Sequence, residues 1–183
     1  MKQSITSGTF PNSKKIYVPG KLHNIKVAMR EISLSDTADR DGNIINNGTV
    51  TVYDTSGPYT DSSYSPDIEK GLPRLREKWI ELRNDTESLE NLSSDYGRSR
   101  HEDKSLDHLR FGHVNTKPRR AKKGKNVSQY YYAKQGIITA EMEYVAIREN
   151  QRIDELKQKL SGIENCPKNL IIPESYITPE FVR

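Results

Sequence analysis

The sequence has almost no cysteine and no long apolar run. Its 183 residues include a single cysteine, Cys166, which excludes an internal disulfide and a cage of cysteine metal ligands. No stretch approaches the roughly 18 apolar residues of a membrane helix, and the first ten residues lack the apolar core of a secretion signal. We therefore expect a protein of a reducing cytoplasm that does not interact with a membrane.

Apolar residues and net charge are also low. Hydrophobic residues make up 33% of the chain, whereas ordinary globular domains contain ~45–50%. Such a chain buries only a thin core, so we expect it to depend on a partner surface, in the same polypeptide or in another. Lysine and arginine number 29 against 25 aspartates and glutamates, a net charge of +4. A protein that binds polyanions with its whole surface is usually more basic.

Motifs that carry chemistry are missing from the sequence. It contains no glycine-rich phosphate loop, no Ser/His/Asp pattern and no cysteine-based cluster motif. His101, His108 and His113 alternate with acidic residues in HEDKSLDHLRFGH. Imidazole and carboxylate groups can bind metals, but this spacing matches no compact ligand pattern, so surface or hydrogen-bonded histidines are expected. We predict no catalytic, cofactor-binding or metal-binding residue in this chain.

Three short segments in the first third of the chain predict β-strands. Residues 16–18 favour a strand, which Pro19 and Gly20 end. Over residues 25–34 apolar side chains alternate, with Ile25, Val27 and Met29 facing inwards. The alternation changes phase near Arg30, which predicts a β-bulge there. Alternation returns at Thr49–Tyr53, and we expect this strand to pair with residues 25–34 in an antiparallel sheet.

Two helical regions are predicted farther along the chain. The first starts near Ser65; Pro73 suits a first turn, and Leu72, Leu75 and Trp79 share one face. The second begins after Thr139, a good N-cap, and can end at Gly162. Its apolar stripe consists of Met142, Val145, Ala146, Ile153, Leu156 and Leu160.

The last residues have the pattern of a helix start. Thr178 is an N-cap, Pro179 fits the first helical position, and Glu180 favours the positive end of a helix. The chain ends at Arg183, within about one turn, and a turn that short does not hold itself. We therefore expect the chain to be part of a longer polypeptide.

These patterns predict an α+β fold, namely a small antiparallel sheet with a few helices and long irregular segments. We divide the chain into four regions. A flexible arm occupies residues 1–14, and a small sheet with a helix occupies 15–83. An extended polar and basic connector follows over 84–136, and a helical segment over 137–183.

The most unusual segment is a basic run beside three tyrosines. Six of the nine residues from Lys117 to Lys125 are positively charged, and Tyr130–Tyr132 follow. Such a run can contact phosphates, but contiguous tyrosines point in different directions, whereas modules that stack bases spread their aromatics over a surface. We therefore expect no nucleic-acid binding. The candidate residues for an interdomain or intersubunit contact are Lys122, Lys123, Lys125 and Tyr131.

Several long blocks resemble one enzyme family. They include YVPGKLHNIKVAMREISLSDT, VTVYDTSGPYTD, DIEKGLPRLREKWI, YGRSRHEDKSLDHLRF and RAKKGKNVSQYYYAKQGIITAEMEYVAIREN, and the closing ITPEFVR. Together they resemble the N-terminal region of phosphomethylpyrimidine synthase, in the same order and from about Phe10 onwards. Two positions depart from the family pattern: Tyr131 stands where histidine is usual, and Ala140 where proline is usual.

The resemblance implies a role in making the pyrimidine half of thiamin. Members of the family convert aminoimidazole ribotide to hydroxymethylpyrimidine phosphate by radical chemistry, as homodimers with a central (β/α) barrel. They use S-adenosylmethionine, a [4Fe–4S] cluster and zinc, in a bacterial cytoplasm. The motifs that bind these groups lie in the barrel and the C-terminal region, before which this chain stops. The resemblance therefore implies an N-terminal accessory domain with no cofactor of its own.

Three functions remain open at this point. The chain is an enzyme fragment that is inactive alone, a stand-alone binding module that uses the basic patch 117–125, or an element that only supports dimer assembly. A reading frame that continues into cluster cysteines would favour the first function. Salt-resistant RNA or DNA binding would favour the second, and oligomerisation without ligand binding the third. We predict the first, with the missing barrel domain as its partner.

Overall fold

The computed structural model describes residues 10–65, 67, 71–110, 117–160 and 176–183. The chain divides into two compact units. The first, which we call the sheet unit, consists of residues 1–65 and 136–183, and the second, the hairpin unit, of residues 66–135. The helical segment that follows residue 136 therefore joins the strands in one unit, and the helix predicted within 15–83 lies in the other.

The described residues form seven strands, five α-helices and two 3-10 helices. The strands are β1 (Ser13–Pro19), β2 (Lys26–Ser33), β3 (Thr37–Ala38), β4 (Ile44–Ile45), β5 (Thr49–Tyr53), β6 (Thr86–Ser88) and β7 (Arg119–Ala121). The α-helices are α1 (Glu77–Arg83), α2 (Asp95–Glu102), α3 (Gln129–Lys134), α4 (Ala140–Leu160) and α5 (Pro179–Val182). The 3-10 helices are Gly57–Thr60 and Lys104–Leu109.

The main sheet has the order β1-β2-β5, and both pairs are antiparallel. The predicted pairing of β2 with β5 is confirmed, with Met29 opposite Tyr53 and Ser33 opposite Thr49. The predicted bulge near Arg30 is wrong, because the register runs without interruption on both sides of this residue. Ile32 is out of phase with Met29 because it faces the other side of the sheet, the side of its cross-strand neighbour Val50.

The core of the sheet unit lies between this sheet and α4. Ile25, Val27 and Met29 are buried, as their alternation predicts. On α4, Met142, Ala146 and Ile153 are buried as expected, and the Thr139 hydroxyl accepts a hydrogen bond from the Met142 amide at 3.3 Å, which confirms the N-cap. The remaining predicted positions do not belong to the core: Val145 is 42% exposed, and Leu156 and Leu160 are half-buried.

The hairpin unit contains β6 and β7, which pair antiparallel, together with α1, α2 and α3. The extended connector predicted over 84–136 is therefore wrong for the described residues, which form short helices and a hairpin. The apolar face predicted around Pro73 is also wrong, since Leu72 and Leu75 are exposed and α1 begins only at Glu77.

The fold class is confirmed: small antiparallel sheets combine with several helices in an α+β arrangement, and no closed barrel occurs among the described residues. β1 begins at Ser13, so the last two residues of the predicted arm belong to a strand, and residues 1–9 lie outside the described residues. Within the part of the chain that the structure describes, no helix is long and apolar enough to cross a membrane. Gly162, the predicted end of the long helix, lies outside the described residues.

Candidate functional site

The three predicted contact lysines share one turn of the hairpin unit, directly after β7. The Lys122 amide donates to the Asp85 carbonyl at 2.9 Å, and the Lys125 amide closes the turn on the Lys122 carbonyl at 2.9 Å. Gly124 has a φ of +76° there, a conformation that glycine adopts most easily. The Lys122 ammonium donates to Asn84 Oδ1 at 2.6 Å, whereas Lys123 and Lys125 are exposed. Their proposed contact with another domain or subunit stays a prediction.

The fourth predicted residue, Tyr131, lies on α3 and is half-buried. Its ring meets the Tyr132 ring edge-on, with a centroid distance of 6.0 Å. No hydrogen bond or ring contact joins Tyr131 to the three lysines in the described part of the chain. The structure therefore groups the lysines with one another but not with the tyrosine.

Sequence reasoning missed Tyr132, the tyrosine that is buried. Its hydroxyl donates to the Asp85 carboxylate, and the Arg83 guanidinium lies 5.4 Å from the centre of its ring. Burial and the hydrogen bond to Asp85 raise the pKa of Tyr132, so the phenol stays protonated. Three adjacent tyrosines carry no periodicity that shows which of them faces the interior, so the sequence offered no signal for this residue.

The arginines of the basic run are engaged within the hairpin. Arg119 donates from Nε to Thr86 Oγ1 at 3.1 Å and from Nη1 to Ser88 Oγ at 3.2 Å. Arg120 pairs with the Glu87 carboxylate at 2.7 Å. The two arginines of the basic run therefore help to hold β6 and β7 together.

The sheet unit contains a buried carboxylate that holds a loop. Glu143 on α4 is 3% exposed, and its two oxygens accept hydrogen bonds from the loop between β1 and β2. The donors are the amides of Lys21 at 2.5 Å, Leu22 at 2.8 Å and His23 at 2.8 Å, and His23 Nδ1 lies 2.9 Å away. Successive amides that point at one anion form a binding concavity for negative charge. Here a side chain of the same chain occupies it.

The surroundings of Glu143 favour its charged form. Burial alone would disfavour ionisation, but the hydrogen bonds from Leu22, His23 and Lys21 outweigh it and hold the pKa of this carboxyl below its usual range. Gly20 is required next to it, because a Cβ at this position would lie 2.6 Å from the His23 carbonyl oxygen and 3.1 Å from Glu143 Cδ. The Glu143 carboxylate is therefore a charged, fixed group that anchors the loop between β1 and β2.

A cavity of about 840 Å³ lies beside this anchor, within the sheet unit. Its walls come from β1, α4 and residues 176–179, and they combine apolar side chains such as Ile16, Val18 and Ala146 with polar ones. Asn150 fixes the last wall, since its side chain exchanges two hydrogen bonds of 2.7 Å with the backbone of Ile177. The cavity has the size of a ligand pocket.

The opposite face of the sheet carries a cluster of charges. The Asp54 carboxylate forms ion pairs with the Lys15 ammonium at 3.2 Å and with the Arg30 guanidinium at 3.6 Å. All three side chains are largely buried. Next to them the Tyr17 hydroxyl donates to Asp61, and burial together with this carboxylate raises the pKa of Tyr17 to about 12. A phenol with this pKa is a hydrogen-bond donor and not a base at neutral pH. The cluster fastens the segment 54–61 to the sheet.

The described residues offer no metal centre. His101 lies on α2 and His108 on the second 3-10 helix, whereas His113 and Cys166 lie outside the described residues. No group of three or more His, Cys, Asp or Glu side chains that could hold a metal ion occurs within the ranges that the structure describes. His101 and His108 are exposed.

Comparison with known families gives a match over part of the chain. Residues 9–87 match the family model of the ThiC-associated domain. Residues 9–87 of this chain are similar to the ThiC-associated domain. The match confirms the resemblance to the N-terminal region of ThiC, phosphomethylpyrimidine synthase, and with it a connection to thiamin biosynthesis. It covers the strands β1 to β5, helix α1 and the start of β6, so it includes parts of both units.

Proposed function

We propose that the chain is the N-terminal accessory region of the enzyme that converts aminoimidazole ribotide to hydroxymethylpyrimidine phosphate, and that it is inactive alone. The observation that carries this proposal is the ThiC-associated domain at residues 9–87. The fold supports an accessory role, because its buried polar groups hold loops in place: Glu143 holds the loop after β1, and Asp54 holds the segment after β5.

The cofactors implied by the reaction do not fit the residues of this chain. A [4Fe–4S] cluster needs about three or four thiolate ligands, and the sequence contains one cysteine. We therefore assign the cluster, S-adenosylmethionine and zinc to another part of the enzyme, and derive no chemical step from the residues described above. In this proposal the chain contributes a surface to the catalytic barrel, in a homodimer in a bacterial cytoplasm.

The exposed lysines of the hairpin turn are the proposed contact with that barrel. Lys123 and Lys125 project from a turn that Gly124 and the Lys122–Asp85 hydrogen bond fix in shape. A rigid turn loses little conformational entropy when it docks, so even two charges can contribute to orientation and association rate. This contact should weaken as salt is added, because exposed charges are screened over about 10 Å at 0.1 M salt.

The inactivity of the chain alone is tested directly. The purified chain is incubated with aminoimidazole ribotide, S-adenosylmethionine, iron, sulfide and a reductant. We expect neither hydroxymethylpyrimidine phosphate nor 5′-deoxyadenosine above the level of a protein-free control. Formation of either product would show that the chain holds its own reaction centre and that the accessory role is wrong.

The accessory role is tested by adding back the rest of the enzyme. The chain is added to a phosphomethylpyrimidine synthase from which the N-terminal region has been removed. We expect a complex and a gain in turnover. The variant Met29→Asp, which places a charge in the sheet core, should give neither, and Lys123→Ala/Lys125→Ala should weaken the complex mainly at low salt. If the intact chain neither binds nor activates the truncated synthase, the proposal fails.

A further inference from the structure

The cavity of the sheet unit has a floor of apolar side chains. Ile16 and Val18 stand on the same face of β1, since they are two residues apart in a strand. Ala146 and Ile147 line the cavity from α4, and Met29 lines it from β2. The volume of about 840 Å³ lies within the ~300–1,000 Å³ that small-molecule pockets span. This floor therefore suits the apolar body of a small ring compound.

Three polar side chains of the walls are bonded to the protein itself. Asn150 exchanges two hydrogen bonds of 2.7 Å with the Ile177 backbone. The Gln151 amide nitrogen donates to the Thr51 carbonyl, and the amides of the loop between β1 and β2 donate to the Glu143 carboxylate. Groups that are already hydrogen-bonded add little affinity for a ligand. Binding to this lining therefore comes mainly from the burial of apolar surface.

Asp154, an exposed residue of α4, brings a charged carboxylate to the edge of this floor. Its Oδ1 accepts a hydrogen bond from the Tyr176 hydroxyl at 2.7 Å. This hydrogen bond raises the pKa of Tyr176, so the phenol stays a donor and the carboxylate keeps its charge. No lysine or arginine lies within ion-pair distance of Asp154 in the ranges that the structure describes. We propose that the cavity binds a small organic amine, whose ammonium group pairs with Asp154 while its apolar body covers the floor.

The charges of the lining favour a cationic ligand over an anionic one. Lys21 also lines the cavity, and its ammonium group attracts anions. The Lys21 amide, however, donates to the buried Glu143 carboxylate at 2.5 Å, so this part of the wall carries one charge of each sign. Asp154 has no such counter-charge, and Glu155 on the same wall is not needed for this balance. A carboxylate on the ligand would therefore meet a wall whose unbalanced charge is negative.

Calorimetry on the full 183-residue chain tests the proposal with probes that differ in charge and in apolar body. Phenethylamine has both an apolar ring and an ammonium group. Phenethyl alcohol keeps the ring without the charge, phenylpropanoate reverses the charge, and methylamine keeps the charge without the ring. We expect phenethylamine to bind about two- to fivefold more tightly than the alcohol, since an exposed ion pair adds only this much. Phenylpropanoate should bind more weakly than the alcohol, and methylamine should not bind. Phenylpropanoate or methylamine binding as tight as that of phenethylamine would overturn the proposal.

Two charge-matched variants of α4 separate the Asp154 carboxylate from general attraction to acidic residues. Asp154→Asn removes the charge but keeps an oxygen that accepts from Tyr176. Glu149→Gln removes one charge from the same helix, outside the lining. We expect Asp154→Asn to lower the affinity for phenethylamine to that for phenethyl alcohol, without a change in binding of the alcohol. Glu149→Gln should change neither affinity. Equal losses in the two variants, or an unchanged affinity for phenethylamine in Asp154→Asn, would contradict the proposal.

Methyl signals in nuclear magnetic resonance spectra locate the ligand without any substitution in the cavity. Saturating phenethylamine should shift the signals of Val18 and Ile147, which line the cavity, and leave those of Ile44 and Ile45, which are exposed on β4, unchanged. Val18→Phe fills part of the cavity and should weaken binding of both ring probes by roughly tenfold, and its melting temperature reports whether it folds. Shifts confined to β4, or unchanged affinity in a folded Val18→Phe variant, would show that the amine binds elsewhere. These measurements need neither the substrate nor the rest of the synthase, so their outcome is independent of the function proposed above.

Discussion

Replacing Glu143 with glutamine should destabilise the sheet unit more than any other single change of charge on α4. The glutamine has the same shape, but its NH₂ group must face amides that are themselves donors. The native carboxylate accepts hydrogen bonds from the amides of Lys21, Leu22 and His23, and it is 3% exposed. Hydrogen bonds to a charged group contribute about 1.5–3 kcal/mol each.

The Glu143→Gln variant does not lose the whole free energy that these hydrogen bonds contribute. Lys21 and Leu22 are exposed, so water replaces part of what their amides lose, and one glutamine oxygen still accepts. We therefore expect the free energy of unfolding to fall by about 2–4 kcal/mol, read from urea transitions at pH 7. Glu149→Gln, on the same helix, is the matched control and should change it by less than about 0.5 kcal/mol.

The difference between wild type and Glu143→Gln should depend on pH. Hydrogen bonding holds the folded pKa of Glu143 below its ordinary value of 4.5, so its stabilising contribution is fully present above that value. The contribution is lost as the pH falls through the folded pKa. The gap between the two unfolding curves should therefore narrow below about pH 4.5. A constant gap from pH 7 to pH 3, or equal stability at pH 7, would refute a charged carboxylate as the anchor of this loop.

Four further substitutions test the packing. Gly20→Ala should lower the free energy of unfolding by about 1–3 kcal/mol, because the added Cβ would lie 2.6 Å from the His23 carbonyl oxygen. Gly48→Ala is the comparison: its Cβ would meet no atom within 4 Å, so only its positive φ is unfavourable, and it should cost about 1 kcal/mol. Ile153→Asp should abolish cooperative thermal unfolding, since it buries a charge at a 3% exposed site; an unchanged melting temperature would mean that α4 does not cover the sheet. Tyr132→Phe should cost about 1–2 kcal/mol through the lost hydrogen bond to Asp85, and a neutral result would contradict that bond.

Local pattern was enough for the elements with strong periodicity. The alternation of Ile25, Val27 and Met29 placed the inner face of β2, and Thr139 placed the start of α4, because both signals come from geometry within one or two turns of chain. The same reasoning failed at Arg30. A change in apolar phase has two causes, a bulge or a sheet covered on both faces, and a single strand does not distinguish them.

The site residues were harder to predict than the elements. The sequence shows the basic run, but it does not show that Arg120 pairs with Glu87 or that Arg119 donates to the hydroxyls of Thr86 and Ser88. These partners are more than thirty residues away in sequence. Glu143 looked like any glutamate in the first turn of a helix. Its partners lie about 120 residues earlier, and no local rule links the two.

The sequence by itself determined the α+β composition, the inner face of β2, the N-caps of α4 and α5, and the similarity to the ThiC-associated domain. Each of these depends on neighbouring residues or on long matching blocks of sequence. Only the tertiary structure decided which tyrosine is buried, which arginine of the basic run pairs with a carboxylate, and that Glu143 fills a concavity of amides in a distant loop. The physical reason is that hydrogen bonds and ion pairs act over a few ångströms. Their partners are therefore set by how the chain folds back on itself, and not by how far apart they lie along it.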